Sequence, residues 1–169
     1  NGVLNVTSSG GDPWLEMYNI GSFGSLTTNR YINLRYRVIS GTPGTAEIFF
    51  LSASNPGAAQ ARAVAGSLVT GGQWQVLSLD MGSNANWTAI GNITGWRFDW
   101  SGASGVNMEI DFIALGSQPM IGSGPSITVS PTSNTTYFTA KKGSCGLTTC
   151  ASATVNVVTG SVAPSSVSG

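Results

Sequence analysis

Histidine is absent from the 169 residues, and only 8% of them are charged. Without an imidazole, catalysis through a Ser–His or Cys–His pair has no base. Cysteine is scarce, with two residues in all. Cys145 and Cys150 are separated by GLTT. That spacing suits a small disulfide-closed hairpin loop, with free thiols or half of a metal site as the alternatives. With no histidine and no second cysteine pair, a zinc site lacks ligands. A disulfide would place the chain in an oxidising compartment.

Neither sign of charge is in excess, since seven Lys and Arg balance seven Asp and Glu. Nucleic-acid binding needs clustered cations, and the pair at 141–142 is the only basic run. No apolar stretch approaches the roughly 18–20 residues of a membrane-spanning helix. GSG, GGDP and GGQW lack the spacing of phosphate loops, and there is no GxSxG elbow. The chain opens at Asn1 rather than Met and carries no signal peptide, as expected of a processed chain or a segment of a larger one.

What is present is glycine (23 residues), abundant Ser, Thr and Asn, and 41% hydrophobic content, enough for a core. No convincing helix is found. NPGAAQARAVAG (55–66) opens on Pro–Gly and closes on Gly, and reads as a loop or single turn. Strands read clearly as period-two runs at 3–8, 14–19, 31–39, 46–53, 63–69, 74–81, 93–100 and 107–116. Eight short strands between turn signals predict an all-β antiparallel sandwich over 1–116. SQPMIGSGP (117–125) reads as a linker. Beyond it a Thr-rich module (126–160) offers strands at 127–130, 135–141 and 153–158, and 161–169 reads as a linker to a further domain. The second module is too small for an ordinary core of its own.

The charges that exist follow a pattern. Arg35 and Arg37, Glu47, Arg97 and Asp99, and Glu109 and Asp111 fall at alternate positions of four strands, so each strand directs its charges to one side. If the four strands share a sheet, that side carries a nearly balanced grid. One reading is a structural ladder, in which opposite charges across an antiparallel pair contribute about 0.2–1 kcal/mol each. Another is a ligand face, because multi-donor Arg beside carboxylates suits polyhydroxyl ligands. A third is a catalytic carboxylate pair, Glu47 with Glu109 or Asp99 with Asp111. Against that reading, a nearby Arg would depress the pKa a general acid needs.

Among the five tryptophans, Trp74 and Trp96 sit in apolar alternation and are expected in the core. Trp14, Trp87 and Trp100 lie at strand ends or in loops, where an indole can stack on a sugar ring or close the end of the sandwich. Asp12 with Asp111, helped by backbone carbonyls, is a candidate structural calcium site.

GGDPWLEM, NRYINLRYRV, GGQWQVLSLDM, NWTAIGNITGWRFDW and EIDFIALG, in that order over residues 10–116, resemble the galactose-binding-like jelly-roll modules of bacterial secreted proteins. The chain departs from their pattern at Trp96 and Met81, where Leu is usual. ITVSPTSNTTYFTAKKGSCGLTTCASATVNV, followed by SVAPSS, resembles the short immunoglobulin-like repeats of large surface proteins of Bacteroidota. The resemblance implies a jelly-roll domain followed by an immunoglobulin-like one, in a long chain exported to the cell surface or medium. The role it implies is non-catalytic binding of polysaccharide or cell-surface glycan, in adhesion or substrate targeting. A structural spacer or filament subunit that self-associates, and an accessory part of a polysaccharide-degrading enzyme, are the alternatives. Arg35, Arg37, Glu47, Arg97, Asp99 and Glu109, with Trp14, Trp87 and Trp100, are the candidate sugar-contacting residues.

Overall fold

The computed structural model describes residues 2–139, 142–143, 146–147 and 151–158. Cys145 and Cys150, and with them the expected disulfide, lie outside the described residues. Gly2–Ser126 form one compact unit, and the residues from Ile127 onward belong to another.

All eight expected strands of the first unit form: β1 (Leu4–Thr7), β2 (Trp14–Tyr18), β3 (Tyr31–Ser40), β4 (Thr45–Ser52), β5 (Ala63–Ser67), β6 (Gln75–Asp80), β7 (Ile93–Asp99) and β8 (Asn107–Gly116). They make two antiparallel sheets, ordered β1-β8-β3-β6 (sheet A) and β2-β7-β4-β5 (sheet B). The antiparallel pairs β1·β8, β2·β7, β3·β6 and β4·β5 nest inside one another, as a long hairpin does when rolled up, which is jelly-roll connectivity.

The alternation explains the layering. Ile32, Leu34, Tyr36 and Val38 of β3, Ile48 and Phe50 of β4, Trp96 and Phe98 of β7, and Met108 and Ile110 of β8 are all buried in one cluster between the sheets. Their odd neighbours on β3, β7 and the first half of β8 carry the charges and face outward. At the β5–β6 corner the backbone comes very close to side chains. A Cβ on Gly66 would lie 2.7 Å from Leu79 Cδ2 and 2.8 Å from Leu77 Cδ1.

Among the described residues helix is confined to single turns, one of which the sequence reading passed over. A single turn, α1 (Asn86–Ala89), inserts Trp87 into the core. A 3₁₀ turn at Gln60–Arg62 is the only regular piece of 55–62. In the second unit β9 (Thr135–Thr139) pairs with β12 (Ala151–Val155), and β10 (Lys142–Gly143) with β11 (Gly146–Leu147). Thr136 and Thr154, directly opposite, share a hydroxyl bond of 2.8 Å. Residues 127–130, expected as a strand, join no ladder among the described residues.

Candidate functional site

The seven alternating charges do not share a face. β3 and β8 are neighbours in sheet A, and β4 and β7 are neighbours in sheet B. The expected single grid is therefore split in two, on opposite outer surfaces of the sandwich. The cause is topological: apart from β4 and β5, consecutive strands alternate between the two sheets, so adjacency in sequence says little about adjacency in a sheet.

On sheet A the charges form a paired ladder. Arg37 Nε donates to Glu109 Oε2 at 2.6 Å, and Arg35 Nη1 to Asp111 Oδ2 at 2.8 Å. A register shift between Arg35 and Tyr36 places a bulge in β8 and aims Asp111 at Arg35. Trp74, expected in the core, lies instead on this outer surface, with the Arg35 guanidinium 4.4 Å and the Arg37 guanidinium 4.9 Å from its ring. It precedes β6, and two flat cations against an indole face satisfy both partners. The connector after β8 lies along the same surface. Asn33 Nδ2 donates to Gln118 O at 3.2 Å, Met120 N to Asn33 Oδ1 at 2.8 Å, and Arg35 Nε to Ser123 Oγ at 3.0 Å.

Sheet B is built differently. Its register sets three rows on the outer face: Trp14, Asp99 and Glu47; then Glu16, Arg97 and Phe49; then Tyr18, Gly95 and Leu51. Arg97 is the centre. Its Nε and Nη2 grip Asp99 at 2.6 and 2.7 Å, and Nη2 reaches both Asp12 oxygens at 3.1 and 3.2 Å. The guanidinium lies 5.2 Å from the Trp14 ring and 5.5 Å from the Phe49 ring. These contacts keep the Arg97 pKa well above its ordinary value, chiefly through the Asp99 hydrogen bonds. Burial pushes the Asp99 carboxyl above the usual carboxylate range, and the Arg97 bonds pull it back.

Aromatic rings stand at both ends of this face. Trp14 is 49% exposed and Tyr18 is 54% exposed. Four residues apart on one strand, they lie about 13 Å from each other. Tyr18 Oη donates to Glu16 Oε2 at 2.6 Å. Its ring sits beside Gly95, where an added Cβ would meet Tyr18 Cδ1 at 3.2 Å and Met17 O at 2.6 Å. Next to Trp14, a groove of about 360 Å³ runs between the edge strands β1 and β2, lined by Val6, Thr7, Asp12, Trp14 and Trp100 among others.

Two expected stacking residues are corrected. Trp87 is 1% exposed, its ring stands perpendicular to that of Phe50 with centroids 5.2 Å apart, and its Nε1 donates to Leu26 O at 2.8 Å. It is a core anchor, because the α1 turn points it inward. Trp100 is 3% exposed and contributes only a wall of the groove. Tyr18 was missed by the sequence reading, although its place in the alternation of WLEMY was the available signal.

The candidate calcium pair is not assembled. Asp12 joins Arg97 on sheet B, and Asp111 joins Arg35 on sheet A. No group of three or more acidic or cysteine side chains among the described residues is placed to hold a metal. The two carboxylate pairs a glycosidase would need are likewise divided: Glu47 and Asp99 belong to sheet B, Glu109 and Asp111 to sheet A. No family profile, curated protein or solved structure matches the chain.

Proposed function

We propose that this chain is a non-catalytic module that binds polysaccharide or cell-surface glycan on the outer face of sheet B. The observation that carries the reading is the half-exposed Trp14, braced by Arg97 and set beside an open groove. An indole face gives the apolar surface that the CH side of a sugar ring needs. Tyr18 offers a second platform on the same strand. Beside them the carboxylates of Glu16 and Asp12 and the Arg97 guanidinium offer acceptors and donors for hydroxyls. Arg97 is the only cation among Asp12, Glu16, Glu47 and Asp99, so the face favours a neutral sugar chain over a polyanion.

The wider setting is part of the same proposal. It is that of a jelly-roll domain followed by an immunoglobulin-like repeat, carried in a long exported surface or secreted protein of the Bacteroidota kind. Its work there is adhesion or substrate targeting. The ladder on sheet A is then structural. A second reading, as a spacer or filament subunit, draws on one observation: every residue of β12 is exposed. Sedimentation that finds only monomers counts against the spacer.

The test is a glycan array spanning plant, algal and bacterial polysaccharides, followed by titration of each hit with the native chain and with Trp14→Ala. Loss of the indole is expected to weaken binding by roughly tenfold or more, in line with about 2 kcal/mol for a central aromatic contact. An array and titrations without a single hit would sink the proposal.

A further inference from the structure

We propose that a second groove, beside Arg62, is a separate ligand site that takes the carboxylate of an acidic sugar. The groove holds about 240 Å³ and is lined by Asn55, Ala61, Arg62, Asn86, Ala89 and Ile90. No carboxylate is among them. Its walls are the 3₁₀ turn Gln60–Arg62, the α1 turn and the segment after β4.

Those walls are clamped together. Asn84 Nδ2 donates to Ala61 O at 3.1 Å and to Ala63 O at 3.0 Å, and Asn86 Nδ2 donates to Ala61 O at 2.9 Å. Asn84 Oδ1 accepts from Asn86 N at 2.9 Å. The groove is therefore preformed, so a ligand need not order it.

Arg62 is the unusual member. Arg30, Arg35, Arg37 and Arg97 each hold a carboxylate within 3.1 Å. Arg62 holds none among the described residues. Its Nη2 donates to Gly57 O at 2.7 Å, which anchors the side chain, and its Nε is shielded from solvent without a hydrogen-bond partner. Arg62 is half-buried and its charge is neutralised by no side chain among the described residues, so an incoming carboxylate would meet a guanidinium still open to an ion pair at its exposed end. Asn55 and Asn86 add amide donors, and Ala89 and Ile90 give an apolar wall for ring CH groups.

That the ligand is a sugar rests on the glycan reading above. That it carries a carboxylate rests on Arg62 alone. The site also borders the proposed platform, since Gln60 Nε2 donates to Glu47 Oε1 at 2.8 Å. A mixed polysaccharide could therefore lay a neutral backbone on sheet B and an acidic branch here.

The experiment is an NMR titration of the full isotope-labelled chain with sodium glucuronate, glucose, sodium acetate and sodium sulfate. Glucuronate is expected to shift the Arg62 Nε signal and the Asn55 and Asn86 amides. Glucose should leave them in place, and acetate and sulfate should bind about tenfold more weakly or less. Arg62→Gln should abolish the response. Ala89→Phe should abolish it too, by filling the groove while leaving the clamp and Arg62 untouched, and a native spectrum checks that this variant folds. Trp14→Ala should leave it intact, so failure on sheet B and failure here are read on different variants. The proposal is overturned by no response to glucuronate, by an equal response to acetate or sulfate, or by binding that survives Ala89→Phe.

Discussion

Arg97 couples the stability of sheet B to the glycan binding we propose for its outer face. It lies between two carboxylates and two rings, with Asp99 largely buried beneath it. Arg97→Gln leaves the Asp99 charge buried without its partner. The expected cost is roughly 3 kcal/mol, read as a lower urea midpoint at neutral pH. Replacing both residues with apolar ones should recover much of that loss, while glycan binding stays weak. Asp80 predicts a different pH response. The Arg30 hydrogen bonds hold its carboxyl below the ordinary value, aided by the Arg30 charge and the Gly82 amide against partial burial. Its contribution is complete above the unfolded pKa of about 3.9 and is lost as pH falls through the lower folded value. Asp99 has the opposite sign: burial penalises its charged form, and that penalty is relieved as pH falls through its raised value. Urea midpoints measured against pH should therefore show Asp80→Asn losing its effect in acid.

Among the elements, β2 is an edge strand whose one ladder partner among the described residues is β7. A Cβ on Gly95 would come within 2.6 Å of Met17 O, a backbone atom that cannot turn aside. Gly95→Ala must lift β2 from β7. It should cost about 1–3 kcal/mol, as overpacking does, and weaken glycan binding by displacing Trp14 and Tyr18. The α1 turn gives the converse case. Trp87→Ala should cost about 3–5 kcal/mol in stability, since it empties a core site. Under conditions where the variant is folded, its glycan affinity should match that of the native chain. The strands were legible in the sequence because alternation reports which face is buried, and all eight of the first unit can be read from it. The α1 turn was not, because four residues, NWTA, are too few to show a helical period. Trp74 was misread because an indole between two guanidinium groups leaves no apolar pattern to separate it from a core tryptophan.

At the scale of the whole first unit, the alternating strand charges divide between two surfaces. Alternation showed that each strand sends its charges one way, but not that β3 with β8 and β4 with β7 form separate sheets. Sheet order is set by the nested pairing of distant strands, and local pattern does not encode it. The consequence is a ladder with the connector across it on sheet A, and an aromatic-tipped face beside a groove on sheet B. The most direct test of that division is a titration of one array-selected glycan against Trp14→Ala and Trp74→Ala, with thermal melts to confirm folding. Loss of Trp14 should weaken binding roughly tenfold or more, and loss of Trp74 should leave it within about twofold. Binding that survives Trp14→Ala but falls with Trp74→Ala would place the ligand on sheet A and contradict the account.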